Sequence, residues 1–236
     1  MKLTHPIAGI FLDIGWTMLA PASGEWMLTP EFYAQVGRER IAAVPAPRWA
    51  AANAACMRFL DENHLVKTEQ AEYEQFSVFY RLLGEQLPEL GLSGEAIASL
   101  AYDKVYNDAN YLFYDDVKPA LLALKQSYKL GIISDTWPSA KRVLQNAGIY
   151  DLFDAVTFSC NLGVYKPHAR MYEHALSALG VPPEQTVFVD DAPACLEGAE
   201  AHGVQPVLIT RAGRTATHGR FACVQDFCGL TTLLKA

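Results

Sequence analysis

Five short apolar runs, rich in β-branched residues, recur along the chain: Ile7–Asp13, Leu130–Ser134, Ala155–Ser159, Thr186–Asp190 and Pro206–Thr210. Their length and composition predict strands. Between the later runs the pattern switches to apolar residues at i, i+3, i+4 and i+7, the spacing of a one-faced helix. Val117, Ala120, Leu121 and Leu124 form one such stripe, and Ala140, Val143, Leu144 and Ala147 a second. Tyr172, Ala175, Leu176 and Leu179 form a third, and Ala192, Cys195, Leu196 and Ala199 a fourth. Gly148, Gly180 and Gly203 follow three of these stripes as helix stops. Continuous apolar strands alternating with one-faced helices predict an α/β domain whose parallel sheet is covered on both sides.

Residues 21–112 break this rhythm. Stripes such as Phe76, Phe79, Tyr80 and Leu83, or Ile97, Leu100 and Ala101, are helical, and no strand stands out among them. Turn signals ("ASGE", "VPAP", "LPELG") separate them. The expected organisation is an α/β core from residues 1–20 and 113–236, with a helical insertion at 21–112. Trp26, Tyr33 and Phe79 offer two readings, lining the ligand side of that insertion or packing in its core, and the core reading is favoured for each.

Composition narrows the setting. A chain of 236 residues, 51% hydrophobic and 19% charged, has the profile of a soluble globular protein. The net charge of −7 argues against nucleic acid as the main partner, while leaving a small anionic substrate open. Five scattered cysteines without a C-x-x-C suggest reduced thiols in a cytoplasm. The apolar N-terminal stretch is short and interrupted by an acid, so neither a signal peptide nor a membrane anchor is expected.

Ligands of open parallel sheets bind outside the carboxyl ends of the strands. There the first run delivers Asp13, the second Ser134, and the fourth Asp190 and Asp191. "GVYKPHAR", after the third run, carries Lys166. A carboxylate, a hydroxyl, a cation and a carboxylate pair thus converge on one edge.

With "FLDIGWT", "GIISD", "VYKP" and "VFVDDAPACLEGAEAHG" in this order, the whole chain resembles the haloacid dehalogenase-like (HAD) hydrolases, whose members are mostly phosphatases. The resemblance implies a Rossmannoid core, with the helical insertion as its cap. It implies Asp13 as the nucleophile of an aspartyl-phosphate mechanism, and Lys166 and Ser134 as phosphate-binding groups. Mg²⁺ would be held by Asp13, the Gly15 carbonyl and Asp191, with Asp190 assisting. Thr17 would brace the nucleophile loop. The implied partner is a small phosphorylated metabolite, with no nucleic acid or membrane; oligomeric state is not legible.

Four positions depart from the family pattern. Gly15 replaces the acid that protonates the leaving group, a loss of roughly 10²–10⁴-fold in general acid–base help. Trp16 stands where Gly is common, Asp135 where Asn often follows the Ser, and Cys195 where many members have a third acid. Metal-independent 2-haloacid dehalogenases also lack the second Asp, but they do not keep an Asp–Asp pair, so "FVDDAP" argues for phosphoryl chemistry. Phosphonate cleavage needs a cap lysine, and the sequence singles out neither Lys67 nor Lys104. A third reading is a binding or regulatory protein on an impaired scaffold; retention of Asp13, Ser134, Lys166 and Asp191 weighs against it.

Overall fold

The computed structural model describes residues 3–4, 6–211 and 219–235. The chain divides into two compact units. Unit 1 comprises Met1–Ala20, Phe113–Thr136 and Ala140–Ala236; unit 2 comprises Pro21–Leu112 and Trp137–Ser139.

In chain order, β1 (Gly9–Leu12) and β2 (Leu19–Pro21) lead into the helices of unit 2. These are α1 (Pro30–Val36), α2 (Arg38–Ala43), α3 (Ala46–Glu62), α4 (Glu69–Gln86) and α5 (Gly94–Tyr106). The chain returns through β3 (Tyr111–Phe113), α6 (Val117–Leu124), β4 (Lys129–Ser134) and α7 (Ser139–Asn146). There follow β5 (Ala155–Phe158), α8 (Ser159–Leu162), α9 (Ala169–Leu179), β6 (Thr186–Asp190) and α10 (Pro193–Glu200). The last elements are β7 (Gln205–Ile209), β8 (Ala222–Val224) and α11 (Phe227–Leu233).

Unit 1 is an α/β fold around a six-stranded sheet of order β5-β4-β1-β6-β7-β8. Every pairing in it is parallel. The five apolar runs form its first five strands in that order. The sixth, β8, is only three residues long and carries no run of its own. One face of the sheet presents Phe11, Ile133, Phe188 and Leu208 to Met171, Tyr172, Ala175, Leu196 and Ala199 of α9 and α10. The alternate positions Ile10, Leu12, Leu130, Ile132, Val187 and Val207 are equally buried, so the sheet is covered on both faces. Gly131 is required beside β1, since a Cβ there would come within 2.6 Å of the Phe11 ring. Gly180 ends α9 in the left-handed region (φ 64°), its N–H donating to the Leu176 carbonyl.

Unit 2 is helical. Thr29, Thr68 and Ser93 each cap a helix by accepting the backbone N–H three positions on, which explains where α1, α4 and α5 start. Its core gathers Phe32, Cys56, Leu60, Phe76, Phe79, Tyr80 and Leu100. Phe79 is a core residue, and Tyr33 packs against that core. Where the sequence offered residues 21–112 no strand, β2 and β3 begin and end that stretch as a two-stranded sheet. Three residues each, they are too short for a period-two pattern to register. Among the described residues no helix is long and apolar enough to cross a membrane.

Candidate active site

Asp13 follows β1, the strand between β4 and β6. Its N–H donates to the Val189 carbonyl at 3.0 Å, so the ladder continues one residue past the strand. Leu12 is level with Ile132 on one side and with Val189 on the other. Asp13 is therefore level with Asp190, and Ser134 and Asp135 fall one and two residues beyond it on β4. This register is what brings carboxylates from opposite ends of the sequence together.

Lys166 joins them. Its Nζ donates to Asp13 Oδ1 at 2.7 Å and to Asp190 Oδ2 at 2.6 Å, and it lies 5.3 Å from the centre of the Phe188 ring. Its side chain is 4% exposed, and those of its partners are 8% and 1%. The Lys166–Pro167 peptide is cis. Burial alone would depress the ammonium, but Asp13, then Asp190 and Asp135, outweigh it and hold Lys166 protonated well above its ordinary range. For Asp190 the balance goes the other way: burial pushes its carboxyl up to about 7 against the pull of Lys166, and the charge of Asp13 adds to the rise. The other Asp190 oxygen accepts the N–H of Ala192 at 2.7 Å, which fixes the turn into α10.

Asp191 completes the cluster: one carboxylate oxygen each from Asp13, Asp190 and Asp191 lies within 4.8 Å of the others. Three carboxyl groups thus meet one ammonium, more acid than the single lysine can pair. Hard oxygen donors with that surplus suit a divalent cation such as Mg²⁺. Cys195 adds nothing to the count, because burial, then Asp190, pushes its thiol up to about 12 and keeps it neutral. Ser134 is buried at the end of β4.

The loop after Asp13 is tightly wound. The Ile14 carbonyl accepts from Met18 and Leu19, while the Trp16 N–H donates to Leu19 at 2.7 Å. Gly15 forms an isolated bridge with Leu19. Trp16 takes φ 53°, a left-handed geometry that costs roughly 1–2 kcal/mol for a residue with a Cβ and explains why Gly is common there. Thr17 is fully buried, and its hydroxyl has no hydrogen-bond partner among the described residues. The bracing expected of this residue runs instead through its carbonyl, which accepts Arg211 Nε at 3.0 Å and Nη2 at 2.7 Å.

Sequence reasoning missed Arg211. It is 5% exposed, its Nη1 donates to both carboxylate oxygens of Asp116 at 2.9 and 2.8 Å, and it lies over the rings of Tyr114 and Phe227. Asp116 also accepts the Phe227 N–H at 2.7 Å. One guanidinium thus ties the loop after Asp13 to the segment entering α6 and, through Asp116, to α11. The available signal was a cation directly after the "PVLIT" strand.

Asp135, noted in the sequence only as a departure, belongs to the same network. Its Oδ1 accepts the backbone N–H of Lys166 at 2.9 Å. Asp135 is exposed as a residue, yet crowding of its carboxyl by the surrounding protein raises it to about 6, Lys166 opposing and Asp13 reinforcing the shift.

Known proteins carry the same arrangement of elements. The chain is 35% identical over 124 residues to Phosphatase MT3486 of Mycobacterium tuberculosis, covering 51% of this chain and 55% of that one. It is 32% identical over 102 residues to Haloacetate dehalogenase H-2 of a Moraxella species, covering 42% and 46%. The matches thus span about half the length of these relatives. A crystal structure of a HAD phosphatase from Thermococcus onnurineus superimposes with a TM-score of 0.61 at 23% identity, over 97% of this chain and 98% of that one. A model of the haloacid dehalogenase-like hydrolases matches residues 17–203, and the chain belongs to that family.

Proposed function

We propose that this hydrolase is a Mg²⁺-dependent phosphatase that acts on a small phosphorylated metabolite through an aspartyl-phosphate. The observation that carries the reading is the gathering of Asp13, Asp190 and Asp191 around a single lysine. A metal-free dehalogenation needs one ionised nucleophile and gains nothing from two further acids beside it, the buried Asp190 and the partly exposed Asp191. The likeness to Phosphatase MT3486 supports the same chemistry.

In this mechanism Asp13 attacks the phosphorus, and the bond to the leaving oxygen breaks in line. Lys166 and the Ser134 hydroxyl stabilise charge on the transferring group. Asp190 holds Lys166 in place. Mg²⁺, held by Asp13, Asp191 and the Gly15 carbonyl with Asp190 assisting, would polarise the phosphoryl oxygens and offset the anionic repulsion of the attack. Water then cleaves the acyl phosphate and restores Asp13.

The test is a screen of phosphate monoesters with and without Mg²⁺, with Asp13→Asn alongside. Phosphate release that needs the metal and is lost in the variant supports the reading. Halide release from 2-haloacids without metal would replace it with dehalogenation. Wild type and variant equally inert while Mg²⁺ still binds would replace it with a binding role.

A further inference from the structure

Gly15 leaves the proposed reaction without the side chain that would protonate the leaving oxygen. We propose that Asp135 performs this work from the neighbouring strand, as the general acid of the first step and the general base of the second. The inference rests on the phosphatase reading and extends it to one more catalytic residue.

Its position is set by the sheet. Asp135 lies on the chain leaving β4, two residues past the level of Asp13 in the parallel register. At about 3.3 Å per residue, it is carried roughly 7 Å further toward the open edge. A group attacked in line by Asp13 expels its leaving oxygen on the side away from Asp13, the side toward which the chain leaving β4 runs. Ser134, one residue before, is the proposed donor to the phosphoryl group.

Its anchoring is equally specific. Oδ1 accepts the Lys166 N–H at 2.9 Å, which orients the carboxyl, and Oδ2 is the oxygen left to carry a proton. The charged groups acting on it are Lys166 and Asp13. With its carboxyl raised to about 6, Asp135 is close to the pH at which one group can both give and take a proton. An arriving phosphoryl anion raises it further, since a like charge disfavours the carboxylate.

The steps balance. As the Asp13 oxygen bonds to phosphorus, the electron pair of the breaking P–O bond stays on the leaving oxygen, which takes the proton of Asp135. The Asp135 carboxylate then removes a proton from water as the water oxygen attacks phosphorus. The P–O bond to Asp13 breaks, and its electron pair returns to the Asp13 carboxylate.

Leaving-group dependence tests this, because a phenolate with an electron-withdrawing ring departs without a proton and an alkoxide does not. Asp135→Asn keeps an oxygen to accept the Lys166 N–H and removes only the titratable proton. The full chain with Mg²⁺ is assayed on p-nitrophenyl phosphate and on a simple alkyl phosphate such as glycerol phosphate, with thermal unfolding as the check on folding. Asp135→Asn is expected to lose roughly 10²–10⁴-fold on the alkyl ester and far less on the aryl ester. Phosphorylated Asp13 should accumulate in quenched samples seen by mass spectrometry, because the second step lacks its base. Equal losses on both esters, or no loss on either, overturn the role; equal losses rescued from Asp135→Ala to Asp135→Asn would assign Asp135 to holding the Lys166 loop alone. A wild type inactive on every monoester takes down the phosphatase reading itself, and the inference with it.

Discussion

Each unit buries a carboxylate and a lysine, and the two clusters resolve the cost of burial in opposite ways. In unit 1, Lys166 is shared by Asp13 and Asp190 with Asp191 beside them, so one ammonium serves several acids. In unit 2, Glu72 is fully buried and accepts two hydrogen bonds from Ser139, from its N–H at 2.8 Å and its hydroxyl at 2.7 Å. Burial pushes Glu72 up to about 7, with the bonds to Ser139 and the charge of Lys104 opposing. Lys104 donates to the Tyr111 hydroxyl at 2.8 Å and lies over the Phe76 and Tyr111 rings. The second cluster is satisfied by neutral donors and can shed its charge by taking up a proton. The first pairs two of its acids directly with an ammonium, an arrangement that the proposed Mg²⁺ and phosphoryl group would complete.

The contrast is sharpest at the two lysines. Replacing Lys166 by Met strands Asp13 and Asp190, and breaking a buried pair from one side costs about 3–5 kcal/mol. Phosphatase activity should fall by roughly 10²–10³-fold or more as the charge on the transferring group is lost. Added Mg²⁺ should recover part of the lost unfolding temperature, because it supplies charge to the same carboxylates. Lys104→Met removes one hydrogen bond and its ring contacts, worth about 1–2 kcal/mol, and should leave turnover within a few-fold. Denaturant titrations with and without Mg²⁺ decide the matter: equal costs for the two variants would break the comparison.

Arg211 offers an intermediate effect, since it touches neither cluster and holds the loop between Asp13 and β2. Arg211→Lys keeps the charge and loses the planar fork that serves Thr17 and Asp116 together. A misplacement of the nucleophile on the ångström scale predicts a fall in kcat of roughly 10–10²-fold with little change in KM. An unchanged kcat would show that β1 and its ladder fix Asp13 without help from the loop.

These differences also mark what was legible in the sequence. The carboxylates and Lys166 stand out because each ends or follows an apolar run, and one sheet register is enough to bring such ends together. The Arg211 network links residues 95 and 194 positions apart through a carbonyl and a guanidinium, and no local pattern encodes it. Strands β2, β3 and β8 are three residues each, below the length at which alternation is readable. Trp137–Ser139 group with unit 2 although they follow β4 of unit 1. Their attachments are Trp137 Nε1 donating to Gln75 Oε1 at 2.7 Å and Ser139 donating to Glu72, partners more than sixty residues away. Glu72 did leave a trace: it stands four residues before Phe76, on the apolar stripe of α4, where an acid is out of place.

That misplaced acid gives the smallest effect on turnover and a distinctive one on stability. The carboxyl of Glu72 titrates near 7 in the folded protein and near 4.5 when exposed, so between these values the folded state binds more protons than the unfolded state. Stability attributable to Glu72 therefore falls as pH rises from about 4.5 to 7, by on the order of 3 kcal/mol, and is flat outside that window. Glu72→Gln can still accept from the Ser139 N–H and donate to its hydroxyl, but it cannot ionise. Asp135 and Asp190 are shifted in the same direction, so the informative quantity is the difference between variant and wild type in urea unfolding across pH 4–8. That difference should grow in favour of Glu72→Gln through the window, with kcat unchanged at each pH. A difference independent of pH would mean that Glu72 titrates in the fold as it does when exposed, and that its bonds to Ser139 and the charge of Lys104 offset its burial in full.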